Sequence, residues 1–153
     1  MERMRFLIMT PVDFIAVSTQ AMKAYESFCQ PLCKKYHLSQ TAFDVLMFLS
    51  NNPDYNTARD ICEIRGIRSG MASVAVDFLV KNNYLIRQAD PSDRRVWRLI
   101  LTSESEDIVQ EGRKLQLEFG QHLTAGISQE ELSRYMNTAE KFKNNILKLS
   151  RNH

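Results

Sequence analysis

The chain has 153 residues, of which 44% are hydrophobic and 25% charged, and its formal net charge is +2. That length suits one domain, or one compact unit with an added dimerisation element, and the composition excludes a disordered chain. The near-neutral balance does not by itself point to nucleic acid, and no apolar run approaches membrane-spanning length.

The distribution of charge is more telling. Residues 57–102 hold eight Lys/Arg against five Asp/Glu, whereas residues 1–56 are balanced at five each and residues 103–153 hold seven against eight. The positive excess therefore sits in the middle of the chain, where attraction to phosphate would use it. The opening, "MERMRFLIMTPV", has too short an apolar run for a signal peptide and no small-residue cleavage site. Three cysteines (Cys29, Cys33 and Cys62) form no disulfide framework, so a cytoplasmic location with no membrane partner is expected.

In chain order, Pro11 and Asp13 open a long helical pattern with Phe14, Val17, Ala21, Tyr25, Phe28, Leu32 and Tyr36 on one face. Pro31 interrupts it, so one bent helix or two abutting helices are expected. A second helix follows Ser39, a good N-cap, with Phe43, Leu46, Met47 and Leu49 inward, and ends at Asn51–Pro53. Thr57 caps a third, with Asp60 in its first turn and Ile61, Cys62 and Ile64 facing inward. Gly66 ends it in the left-handed conformation. The fourth begins at Ser69 or Gly70. It buries Met71 or Ala72, then Ala75, Val76, Leu79 and Val80, and turns Ser69, Gly70, Ser73, Val74 and Asp77 outward.

A strand, "YLIRQA", a charged hairpin tip, "DPSDRR", and a returning strand, "VWRLILT", come next. Two more helices follow, introduced by capping boxes at Ser103/Glu106 and Ser128/Glu131. The last carries Leu132, Met136, Ala139, Phe142, Ile146 and Leu149 on one face. Helix, turn, helix and hairpin is the order of a winged helix-turn-helix, which sets one helix in the DNA major groove with a basic wing beside it. The fold expected is mainly α with a small two- or three-stranded β wing. Residues 38–103 form the DNA-binding domain, and residues 1–37 and 104–153 form a helical dimerisation region from both termini. The two long amphipathic terminal helices offer more apolar surface than a small core can cover.

The segment "DPSDRRVWRLILT" resembles the wing of the MarR family of transcriptional regulators, with Asp93, Arg95, Leu101 and Thr102 at the family's spacing. The order of elements is similar along nearly the whole chain. The resemblance implies a homodimer on double-stranded DNA, with Arg95 reaching the minor groove and Asp93 orienting it. A guanidinium suits that groove, being always charged and less strongly hydrated than an ammonium. Arg68 and Val74 stand where the family often has Ser and a basic residue. The expected DNA contacts are therefore Arg68, Ser69, Gly70, Ser73 and Val74 from the fourth helix and Asp93, Arg94 and Arg95 from the wing, with Ser69 also fitting a plain N-cap. The resemblance further implies a pocket for small aromatic molecules, for which Tyr25, Tyr36, Phe43 and Met47 are candidate lining residues that also read as core.

Cys29, Cys33 and His37 lie four apart and share a helix face if the helix passes Pro31. They read either as a metal or redox site, since some family members answer to metal or peroxide, or as two buried small hydrophobes beside a helix end. No phosphate loop, dinucleotide glycine pattern or nucleophile elbow is present, and His122 and His153 have no obvious Ser or Asp partner. An enzyme and a cofactor are therefore not expected. The expected function is a transcriptional regulator, a repressor on a pseudo-palindromic operator released by a small ligand or an oxidant. The alternative is a winged-helix protein-interaction module that does not bind DNA.

Overall fold

A computed structural model describes Thr10 and residues 12–151; Pro11 and His153 lie outside the described residues. The chain divides into two compact units, Met1–Gln116 and Leu117–His153. Six helices and one hairpin are described: α1 (Asp13–Lys35), α2 (Gln40–Asn51), α3 (Ala58–Arg65), α4 (Ser69–Lys81), β1 (Leu85–Ala89), β2 (Trp97–Leu101), α5 (Glu106–Leu123) and α6 (Gln129–Arg151).

In the first unit α2 is the central element, in contact with α1, α3, α4 and β2. Its sequence requires that position. Ala42, Phe43 and the run from Val45 to Leu49 are all buried, so the helix has to be enclosed on most sides. Ser39 starts it by accepting the Ala42 N–H at 3.1 Å. Thr57 and Asp60 close a reciprocal capping box on α3, and Gly66 ends α3 at φ 76°. Ile61 enters the core, but Ile64 is 53% exposed, because an eight-residue helix buries only one narrow stripe.

Pro31 lies inside α1, which runs through it as one helix. The stripe expected along its whole length is buried only at its end. Leu32 is joined in the core by Cys29 and Cys33, with Tyr25 and Tyr36 partly buried against it, whereas Val17 is half exposed. α5 reaches α2 at Gly112. A Cβ there would collide with the Met47 sulfur and come within 3.0 Å of the Phe43 ring, so any larger residue would force those side chains to shift. Around that contact Glu111 accepts from Lys35 Nζ at 2.6 Å and from the Tyr36 hydroxyl at 2.7 Å. Arg113 donates to the Ser50 hydroxyl at 2.7 Å.

The hairpin is antiparallel, with Leu85 opposite Leu101 and Ala89 opposite Trp97. It is two-stranded. On its outer side the Leu99 N–H donates to the Asn56 carbonyl at 2.8 Å, a single bond from the loop before α3. Leu85 and Leu99 bring the ribbon into the core. The capping box expected at Ser103 and Glu106 is not formed. Ser103–Ser105 is a 3-10 turn, the Ser103 hydroxyl bonds Glu104 instead, and Thr102 donates its hydroxyl to the Asn83 carbonyl. The chain leaves the strand too tightly for Ser103 to act as a cap.

In the second unit, Gly126 turns the chain at φ 77° and the Ser128/Glu131 capping box is formed. Along α6, Leu132 and Ala139 are half-buried, whereas Met136, Ile146 and Leu149 are exposed.

Candidate nucleic-acid interface

α3, the turn at Gly66–Arg68 and α4 form the helix-turn-helix. Ile67 packs on the core and fixes the turn. Arg68, not Ser69, is the N-cap of α4, with extended backbone at φ −61° and ψ 139° and no capping bond from its side chain. Ser69 is thus the first helical residue, and its hydroxyl is not spent as a cap. Ala72, Ala75, Val76 and Leu79 hold the helix to the core, while Ser69, Gly70, Ser73, Val74 and Asp77 face outward and are exposed. Met71 is exposed as well, which decides between it and Ala72 for the inner face. Arg87 on β1 pairs with Asp77, joining the helix to the hairpin.

The wing tip is built on Asp90, which the sequence reading passed over. Its carboxylate is buried and accepts from the Ser92 N–H at 2.8 Å, the Ser92 hydroxyl, the Asp93 N–H at 3.0 Å and Arg98 Nε at 2.7 Å. The Ser92 hydroxyl, then Arg98 and the backbone amides, hold this carboxyl far below the usual carboxylate range. Arg98 also donates to Asn56 Oδ1 at 3.1 Å, so one side chain ties the tip to the loop before α3. The local signal was the dipeptide Asp90-Pro91, a turn initiator whose aspartate accepts amides two and three residues on. Asn56 had no such signal.

Asp93 accepts the backbone N–H of Arg95 at 3.0 Å. It therefore fixes the peptide from which the Arg95 side chain leaves. Arg94 and Arg95 are both exposed. Beside α4 is a groove of about 730 Å3, lined by Met71, Val74 and Phe78 together with Arg68, Ser39 and Thr41.

The remaining candidates lie elsewhere in the first unit. Phe43 and Met47 are fully buried and meet at Gly112. Tyr25 accepts from Gln116 Nε2 at 2.8 Å, and burial pushes its hydroxyl well above the ordinary range. The Tyr36 hydroxyl is held by Glu111, so the four do not share one described cavity. Cys29 and Cys33 are buried on α1; burial raises both thiols, that of Cys33 to about 11, which keeps them protonated and slow to react. His37 lies beyond the helix end at φ 53°. Cys33 and His37 line a second cavity of about 540 Å3. Among the described residues no group of three His, Cys, Asp or Glu side chains could hold a metal.

A helix-turn-helix followed by an anchored, arginine-tipped hairpin defines a winged helix-turn-helix lobe. Residues 37–96 match a model of the MarR family, so this stretch of the chain is similar to that family. No curated protein matches the chain. In fold it is similar to a MarR transcriptional regulator from Methanosarcina mazei Go1, at 23% identity and a TM-score of 0.73 over 90% of this chain and 99% of that one. It is also similar to a MarR family regulator from Listeria monocytogenes complexed with a 26mer DNA, at 19% identity, TM-score 0.78, and coverage of 91% and 90%. A third is BpsR of Bordetella bronchiseptica, whose DNA binding is regulated by 6-hydroxynicotinic acid, at 18% identity, TM-score 0.68, and coverage of 86% and 98%.

Proposed function

We propose that this chain is a cytoplasmic transcriptional regulator that binds double-stranded DNA as a homodimer and acts as a repressor on a pseudo-palindromic operator. The observation that carries the reading is the wing: two exposed arginines stand on a tip held rigid by Asp90 and Asp93, in the lobe that also turns the outer face of α4 to solvent. In this reading Ser69, Gly70, Ser73 and Val74 enter the major groove, Arg68 meets its edge, and Arg95 enters the minor groove with Arg94 beside it.

Residues 1–37 and 104–153 form the dimerisation region, supported by the exposed Ile15, Val17 and Met22 of α1 and Met136, Ile146 and Leu149 of α6. Two copies of α4 then meet successive major grooves about one turn apart. Among the described residues no helix is long and apolar enough to cross a membrane, which suits this role. Release by a small aromatic acid fits better than release by an oxidant, because both α1 thiols are buried and kept neutral.

The test is a titration of random duplex DNA at several salt concentrations. Affinity should fall steeply as salt rises. The alternative, a protein-interaction module, draws on one observation: Val74, 72% exposed, puts an apolar side chain at the middle of the outer face of α4. Binding that is absent at low salt would favour it.

A further inference from the structure

α4 presents apolar side chains where a reader helix ordinarily needs hydrogen-bonding ones. Met71, Val74 and Phe78 follow at spacings of three and four and form one line along the helix. They are 53%, 72% and 37% exposed, and they form the apolar wall of the groove beside α4.

In the major groove, guanine is read by Arg or Lys, adenine by Asn or Gln, cytosine by Asp or Glu, and the thymine methyl by apolar contact. From Ser69 to Val80, α4 carries no Arg, Lys, Asn or Gln. Its single acidic residue, Asp77, is engaged by Arg87. The outward face is left with the hydroxyls of Ser69 and Ser73 and the apolar line.

Resting on the DNA-binding reading above, we infer that α4 is a thymine reader. Val74 and Met71 seat the 5-methyl groups of thymines, and Arg68 at the head of the helix supplies the adjoining polar or phosphate contact. Charge decides for duplex DNA over an apolar peptide as the occupant. Arg68 borders the groove, and residues 57–102 carry a basic excess of three. DNA presents methyl groups between rows of phosphates, whereas an apolar peptide would offer Arg68, at the rim of the groove, no counter-charge. Nothing lies within 4 Å of the point where a Cβ would stand on Gly70, so the backbone there is open to close approach by a sugar-phosphate strand.

The experiment uses the full chain. Duplexes are selected from a random library, and each thymine in the retained site is replaced by deoxyuridine, which removes only the methyl group. Loss of one buried methyl should weaken binding about fourfold, and loss of the symmetric pair about 15-fold. Val74→Ala should melt like the parent and become insensitive to deoxyuridine at one position of each half-site. Val74→Gln should shift the selected base there from thymine to adenine. If the parent binds its selected duplex and every deoxyuridine substitution costs less than about twofold, against the fourfold expected of a buried methyl, thymine reading is overturned and DNA binding stands. If no duplex is retained at about 50 mM salt, where electrostatic binding is strong, both are overturned.

Discussion

At the scale of single residues, the wing separates contact from support. Arg95→Ala should weaken operator binding about tenfold or more and lower the salt dependence by about two counterions per dimer, since two contacts are lost together. Stability should move by no more than about 0.5 kcal/mol, because the side chain is exposed at a hairpin tip. Arg95→Lys should restore only part of the affinity. Equal losses in Arg94→Ala and Arg95→Ala would reduce the wing to diffuse charge.

Asp44 behaves in the opposite way to Asp90. Burial raises its carboxyl, even though Arg65 stands at 3.5 Å and Gln40 donates to it at 3.1 Å. A raised carboxyl pKa means that the folded state holds the proton more tightly than the unfolded one. The ionised form therefore opposes folding above the ordinary carboxylate range, and the opposition fades as pH falls. Asp44→Asn, which keeps an acceptor for Gln40, should raise the melting temperature at neutral pH, with the gain vanishing in acid. A lower melting temperature at neutral pH would show that the Arg65 pair outweighs burial.

At the scale of elements, what was legible in the sequence was local. The caps at Ser39, Thr57 and Ser128 all formed because a short side chain needs only to reach an amide three residues on. The glycine after α3 and the inner face of α4 were readable for the same reason. The hairpin that carries Asp93, Arg94 and Arg95 was legible through its turn residues and the strands that flank them. The buttress of the wing was not, because Arg98 and Asn56 are brought together across 42 residues by packing that no local pattern encodes. Gly112 is a case of the same kind. Nothing near it in sequence shows that it faces Met47 and Phe43. Gly112→Ala should cost about 1–3 kcal/mol in denaturant unfolding, the ordinary result of forcing a methyl into a filled core. Met47→Ala should recover part of that loss in the double variant, because the two side chains compete for one space. Additive losses would mean that α5 shifts as a whole instead.

At the scale of the whole molecule, α6 has the amphipathic pattern of a packed helix, yet Met136, Ile146 and Leu149 are 60%, 55% and 64% exposed in a single chain. Exposed apolar surface of that kind supports the dimerisation proposed above. Ile146→Asp should convert the dimer to monomer in sedimentation experiments and weaken operator binding by far more than any loss of the fold, since each half-site alone holds only half of the contacts. A variant that remains dimeric and binds the operator normally would move the interface elsewhere.

The bond between the hairpin and Asn56 has a consequence for how the protein is made. A two-stranded ribbon has little stability of its own. Leu99, whose amide meets the Asn56 carbonyl, is also a core side chain. During synthesis α3 and α4 are complete before the strand that ties back to the loop ahead of them has emerged. The last step of building the lobe is thus a long loop closure, which carries an entropic cost that the helices do not face. In pulse-labelled refolding the amide of Leu99 should gain protection after those of α2 and α4. The lobe is then complete only once the strand made last has returned to a loop made long before it.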